Sequence, residues 1–384
     1  MRVAVIGSGI VGAAAAWHLS GRGVSVTVVD GAFSGRATDA GAGIVCPWVD
    51  HPDDDAWYRL AREGARRYPD LVSALGEDIG YARVGALLVA TDPVELEPIR
   101  ALLLRRHPEA PEMGDITDVA APSALFPPLR DGLSAIHVPG AARVDGRAVR
   151  DALLRAAIHQ GADLRTGTAT LTPDGGVLLR TTPDGDPLRR TTTGAPGPEP
   201  SAQARVGEAG VRVEADVVIV AAGAWSGEVC RGLGVEIPVS PRRGQIVHAA
   251  VDGVDTTSWP IVLPRSGPYL LGFPGSRLVV GATVEDAGFS PYVTIGGIHE
   301  VLAAGLRLAP GLDGARVVET RVGLRPVYAA GTALIDRLTD RVVVATGLGA
   351  YGLTAGPFTG QIAAALALGE SPPIDINPYA RLPA

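Results

Sequence analysis

The sequence predicts an α/β protein in two parts. One is a Rossmann-like nucleotide-binding part with a parallel sheet. The other is an α+β substrate part with a mostly antiparallel sheet. Three observations carry this. The first 30 residues give an apolar run, a glycine turn, a helix pattern and a second apolar run, the order of a βαβ unit. Residues 235–290 instead alternate apolar and polar positions between turn residues, as strands with one wet face do. At roughly 150 residues per domain, 384 residues make two domains.

The elements follow in order. Residues 2–6 read as a strand, 13–19 as helix and 24–29 as the second strand, ending at Asp30. Helical periodicity runs over 53–76 through Trp57, Leu60, Ala61, Ala65, Tyr68, Leu71 and Leu75. Its opening acids Asp53, Asp54 and Asp55 suit an N-cap and the helix dipole better than a metal. Residues 79–91 read as strand and 93–106 as helix, and 107–140 is Pro-rich and weakly patterned. An amphipathic helix over 148–159 leads into a strand over 163–171. Residues 181–210, rich in Thr, Pro, Gly and Ala, read as an exposed insertion. A buried strand over 215–221 follows. The helix 295–308, the strand 341–345 and a closing helix over 360–368 complete the chain.

Composition narrows the function. With 50 Gly and 31 Pro, about a fifth of the chain, a long coiled coil is excluded. The net charge is −7 and all 34 basic residues are arginine, because no lysine is present. This is not the clustered basic surface of a nucleic-acid binder, and it removes Lys as Schiff base or general base. Two cysteines, Cys46 and Cys230, and seven histidines stand in no metal-ligand spacing, so no metal site and no disulfide framework are expected. Cys46 reads as an inert core thiol. No signal-peptide pattern opens the sequence, and no apolar run approaches the 18 or more residues of a membrane span. A cytoplasmic protein is expected.

The chemistry-bearing motif is Gly7-Ser-Gly9-Ile10-Val11-Gly12. Gly7 permits the tight strand-to-helix turn, Gly9 lets the backbone approach a pyrophosphate, and Gly12 lets the helix pack on the sheet. The helix N-terminus then offers free N–H groups to phosphate. Asp30 lies 18 residues after Gly12, placed to accept hydrogen bonds from a ribose. The motif by itself leaves NAD and FAD open. Nucleotide-like features recur, however, at 217–226 and at 342–357, whereas an NAD half is one continuous segment.

With the stretches 39–45, 241–245, 277–289 and 323–326, in this order, the chain resembles the D-amino-acid oxidase family of flavoproteins, most closely its glycine oxidase branch. The resemblance spans nearly the whole chain. It implies an FAD domain built from 1–47, 141–232 and 318–384, interleaved with a substrate domain built from 48–140 and 233–317. It implies non-covalent FAD, with Gly9, Ile10 and Val11 at the pyrophosphate and Asp30 at the ribose. Arg36 and Thr38 would lie near the phosphates, and Gly41, Gly43 and Ile44 along the flavin. Ala169 would sit near the adenine, with Gly223 and Trp225 near the dinucleotide. Gly347 belongs to the late glycine turn, and Gly352, Leu353 and Thr354 would meet the pyrimidine end of the flavin.

At the substrate end the resemblance assigns Arg325 to the substrate carboxylate, which a guanidinium fork pairs bidentately, and Tyr269 to the same carboxylate. Thr283 and Val284 are expected to line the pocket, Tyr351 to project into it, and His51 and Trp48 to edge its mouth. The implied reaction is hydride transfer from the Cα of a small amino acid, of glycine or D-amino-acid type, to flavin N5. It yields an imine that hydrolyses to a keto acid and ammonia. O2 or another electron acceptor then reoxidises the flavin. Self-association into a homo-oligomer is left open. Three positions depart from the family pattern: Ala350 replaces an arginine, Leu348 replaces a histidine, and Val327–Thr332 replaces an Asp-Gly segment. They keep a sarcosine- or proline-type secondary amine open as substrate, and also a non-catalytic flavin-binding subunit of a larger dehydrogenase.

Overall fold

The computed structural model describes residues 1–180, 210–329 and 331–381. The expected insertion at 181–210 lies, Gly210 apart, outside the described residues. The N-terminal βαβ unit forms as the sequence dictates: strand Arg2–Ile6, helix Ile10–Ser20, strand Ser25–Asp30. These strands sit inside a six-stranded sheet. Its order is Leu334–Thr339, Val342–Thr346, Val217–Val220, Arg2–Ile6, Ser25–Asp30, Asp163–Thr166. All neighbours are parallel except the 334–339/342–346 hairpin.

Alternation along the central strand puts Val3 and Val5 on one face and Ala4 and Ile6 on the other. The first face packs on the helices Ile10–Ser20, Gly146–His159 and Gly352–Leu368. The second packs on a three-stranded antiparallel sheet, 168–171, 177–180 and 211–213. A β-carbon placed on Gly360 would lie 2.5 Å from the Val11 carbonyl oxygen. The first and last helices therefore cross almost backbone to backbone, and their N-termini open on the same cleft.

The second part is an eight-stranded sheet. Its order is Arg316–Tyr328, Val239–Ala250, Arg277–Gly281, Tyr269–Phe273, Ile261–Pro264, Ala86–Ala90, Ser134–Val138, Thr117–Val119. It is antiparallel except where Ile261–Pro264 runs parallel to Ala86–Ala90. One face packs on Asp55–Arg66 and Glu97–Arg106, the other on Ile295–Leu308.

Several expectations need correction. The boundary between 317 and 318 cuts through Arg316–Tyr328, which pairs with Val239–Ala250 along its length. The run 163–171 is two strands, because Gly167 at φ +156° turns the chain from one sheet into another. The weakly patterned 107–140 holds two strands of the large sheet. The periodicity over 53–76 belongs to two helices, Asp55–Arg66 and Tyr68–Leu75. The last helix begins at Gly352, not at 360. Pro357 lies inside it and cannot donate to the carbonyl of Leu353. The buried Tyr68 hydroxyl donates to that carbonyl instead.

Candidate active site

A cleft of about 510 Å³ runs from the Gly7–Val11 turn to Tyr269 and Arg325. At its first end, Gly7 has φ +103°, and a β-carbon there would lie 2.4 Å from the Ala221 oxygen. One on Gly12 would lie 1.9 Å from the Gly7 oxygen; Gly12 itself packs behind the cleft and does not line it. Gly9, the N-cap of the first helix, supplies no side-chain cap. Ile10 donates its backbone N–H to Thr38 Oγ1 at 3.1 Å, and the helix end faces the cleft through Gly7, Ser8, Gly9, Ile10 and Val11.

Asp30 accepts from the Ser8 amide at 2.8 Å, from the Ser8 hydroxyl, and from the Ala32 amide at 2.6 Å. Burial alone would raise its carboxyl; the Ser8 donors and the nearby Arg36 outweigh it and hold the group below the ordinary range. Asp30 is therefore an ionised acceptor fixed at the wall. Arg36 bridges Asp30 and Asp39. Further along, Ala169, Gly223 and Trp225 line the cleft. The Trp225 ring stacks on Phe33 at 5.3 Å.

The middle of the cleft is lined by Gly41, Gly43, Ile44, Gly347, Gly352, Leu353 and Thr354. A β-carbon on Gly43 would lie 1.8 Å from the Val144 oxygen. The last long helix starts here without a side-chain cap, and Thr354 Oγ1 ties it to the Ile44 carbonyl at 2.9 Å. Two helix N-termini, neither capped by the side chain of its own N-cap residue, thus face one long groove bordered by glycine backbone at Gly7, Gly9, Gly41, Gly43 and Gly352. Such a site accepts an extended, doubly charged dinucleotide.

At the far end, Arg325 Nη1 donates to the carbonyls of Thr283 at 3.1 Å and Arg243 at 3.3 Å. Its guanidinium lies over Gly244, where a β-carbon would come within 2.3 Å of Nη2. Among the described residues no carboxylate pairs with it. Tyr269 stands beside it: burial pushes its phenol up to about 12 against the pull of the guanidinium. Behind Arg325, Glu285 accepts from Arg243, Gln245 and Thr283 at 2.6, 2.8 and 2.6 Å. Burial would raise its carboxyl, but these donors pull it down to about 2.

The expected pocket residues divide. Arg325, Tyr269 and Tyr351 line the cleft. Thr283 does not: its hydroxyl is held by the Gln245 amide and Glu285, and only its carbonyl serves the site, through Arg325. Val284 is 67% exposed and does not line the cleft; it lies past the end of the strand Arg277–Gly281. Trp48 is buried in the core beneath, and its carbonyl accepts from Arg106. His51 is exposed and stacks on Trp57 at 4.3 Å, one ring removed from the cleft. Residues the sequence reading passed over line it instead: Phe33, Val49, Asp50, Gly244 and Leu263. For Gly244 the signal was its place directly after Arg243, on the strand facing Arg325. Cys46 also lines the cleft, but burial and the Asp50 carboxylate raise its thiol, which stays protonated. Among the described residues no cluster of His, Cys, Asp and Glu could hold a metal ion, and no helix is long and apolar enough to cross a membrane.

Known proteins are similar to this chain in sequence and fold. The family described as FAD dependent oxidoreductase matches residues 2–366. The Bacillus subtilis protein called Uncharacterized oxidoreductase YurR is 43% identical, over 98% of this chain and 97% of its own. The crystal structure of iminodiacetate oxidase from Chelativorans sp. BNC1 is 42% identical with a TM-score of 0.89, over 99% of this chain and 98% of that one. Glycine oxidase from Geobacillus kaustophilus is 25% identical with a TM-score of 0.81, over the same shares.

Proposed function

The chain belongs to the FAD dependent oxidoreductase family, and on that premise we propose that it oxidises a small amino acid of glycine type at the carbon between amine and carboxylate. The observation that carries this is Arg325: a guanidinium at the end of the cofactor cleft, beside Tyr269, with no carboxylate partner among the described residues. A substrate carboxylate completes it bidentately.

The glycine-bordered groove fits FAD, with the Gly9-Ile10-Val11 turn and the Thr38 hydroxyl that caps it toward the pyrophosphate and Asp30 toward the ribose. Bound FAD supplies the acceptor for a hydride leaving the substrate Cα. The residues orient and exclude. Arg325 and Tyr269 hold the carboxylate, which leaves the Cα–H as the only reacting bond to aim. Ile44, Leu263 and Leu353 wall the cleft with apolar surface and keep water from the reacting carbon. The N-terminal end of Gly352–Leu368 favours negative charge at its end of the groove. The imine product meets water on release and hydrolyses to an oxo acid and the free amine. O2 or another acceptor then takes the electrons.

A second reading, an N-substituted glycine such as iminodiacetate or sarcosine, is favoured by the higher identity to iminodiacetate oxidase than to glycine oxidase. The test is anaerobic addition of glycine, D-alanine, sarcosine, proline and iminodiacetate to the yellow holoenzyme. Bleaching by glycine-type compounds supports the proposal, and the fastest one separates primary from substituted amines. Absence of bleaching with the whole panel overturns it. Readmitting air then distinguishes O2 from another acceptor.

A further inference from the structure

We propose that Asp50 is the subsite for the substrate's ammonium, and that it makes the enzyme selective for cationic amines over other small carboxylates. The inference rests on the reading of Arg325 given above and adds the second half of the recognition. Asp50 lines the cleft that Arg325 and Tyr269 line. Tyr351, whose hydroxyl donates to Asp50 Oδ2 at 2.9 Å, packs against the same apolar cluster as Tyr269 and Leu263. One carboxylate oxygen is thereby fixed and the other is free for a substrate N–H.

The placement is built. Arg106, only 5% exposed, reaches under the loop and donates to three of its backbone carbonyls. Nη1 donates to the carbonyls of Trp48 at 2.9 Å and Asp50 at 2.8 Å, and Nη2 to that of His51 at 2.8 Å. Its guanidinium lies over the Tyr58 ring at 4.0 Å. His51 holds φ +49° and stacks on Trp57, which meets the Tyr351 ring edge-on at 4.5 Å. The loop that carries Asp50 is thus clamped from below by a cation that spends its donors on carbonyls. Among the described residues no ion pair uses the Asp50 carboxylate. The titratable and charged groups facing it are Tyr351, Cys46, His51 and Arg106, and none cancels its charge by direct pairing.

An amino acid in neutral water carries an ammonium and a carboxylate. Arg325 with Tyr269 takes one end and Asp50 with Tyr351 takes the other. A 2-hydroxy acid or a simple carboxylate satisfies only the first. It leaves Asp50, which is exposed at the mouth, without a counter-ion and gains nothing from that end, so the amino acid is preferred. Asp50 is a binding and specificity residue here, and the exposed mouth lets the amine's proton pass to solvent.

The test uses the holoenzyme and its Asp50→Asn, Asp50→Glu and Arg325→Met variants, each checked for FAD content. Flavin absorbance is titrated anaerobically with acetate and glycolate, which lack an amine. Flavin reduction by the best substrate of the panel gives its Kd at pH 7 and near pH 10. The expected result is that Asp50→Asn weakens the amino acid tenfold or more at pH 7 while acetate binds equally well or more tightly. The gap should close near pH 10, where an aliphatic ammonium loses its charge (about 10). Asp50→Glu should recover part of the loss, and Arg325→Met should lose acetate as well. Equal weakening of acetate and amino acid, an unchanged Kd, or a ratio constant with pH overturns the role of Asp50 while leaving Arg325 in place. Failure of acetate to perturb the wild-type flavin overturns the carboxylate reading, and the inference falls with it.

Discussion

Arg325 is a side chain that the protein itself holds in place. One face of its guanidinium rests on Gly244, and Nη1 is committed to two carbonyls. On the proposed reading the fork is held in place before a substrate carboxylate arrives, so little rotamer entropy would be lost on binding. Truncating one partner of such a charged pair costs about 2–5 kcal/mol. Arg325→Met is therefore expected to lower kcat/KM for the amino acid by roughly 30-fold to several thousand-fold, with normal FAD content. Steady-state kinetics decides it, and a loss under threefold sinks the assignment. A residue outside the site, His248, sets a pH dependence of stability. It is 4% exposed, and among the described residues neither ring nitrogen has a hydrogen-bond partner. Burial, then the Arg321 charge, lowers its pKa to about 4. Below about 6.5 the unfolded chain binds a proton that the folded chain refuses. Stability must then fall as pH drops from about 6.5 toward 4. His248→Leu should flatten that slope, measured as the difference in urea midpoint between pH 7 and pH 5. His18, lowered to about 4 by burial and by Arg22 and Arg67, keeps part of the slope in the variant.

Two helices define the cleft, and their packing decides where their N-termini point. The first helix is buried along nearly its whole length, Ile10 to Ala16 continuously. Alanine and glycine are the residues that let it approach the last helix so closely. Gly356 faces Ile10, with 2.6 Å available to a β-carbon, and Gly360 faces Val11. The price of a helix rich in Gly and Pro is a broken hydrogen-bond ladder, and Tyr68 repairs it at Leu353. That repair sits on a residue whose backbone borders the cofactor groove. Tyr68→Phe leaves the Leu353 carbonyl buried without a donor, a loss of about 1–3 kcal/mol. We expect a lower Tm together with weaker FAD binding. A variant that loses Tm but keeps the wild-type FAD Kd would show that the helix start is fixed by other contacts.

At the scale of the whole molecule, the cofactor groove draws residues from both the six-stranded and the eight-stranded parts: Val29 and Ala345 from one, Gly244, Leu263 and Leu324 from the other. FAD bound there stabilises the folded chain by mass action, about 2.7 kcal/mol at a hundredfold excess over Kd. The expected outcome is a Tm that rises with FAD concentration after the cofactor is stripped, and a Tm indifferent to FAD would contradict a groove shared by both parts. The nucleotide turn was legible in the sequence because its requirements are local. Gly7 needs a positive φ, Gly12 must admit a neighbouring backbone, and Asp30 ends the very next strand. A handful of adjacent residue types encodes such demands. The order of the later segments, read as a family resemblance, carried Arg325 and Tyr269 with it. The sequence did not disclose that the Thr283 carbonyl meets Arg325 or that Val284 is exposed, because both follow the end of the strand Arg277–Gly281 and are placed by contacts with the distant Gln245 and Arg325. Nor did it disclose the break at Gly167 or the strands within 107–140, where sheet pairing overrides weak local pattern. The Asp50–Tyr351 pair joins residues 301 positions apart. What the sequence alone determined is the backbone chemistry of the cofactor turn, since neighbouring residues suffice to impose it. Which side chains face the substrate was decided only by tertiary packing, which brings distant segments to one cleft and chooses the face each presents.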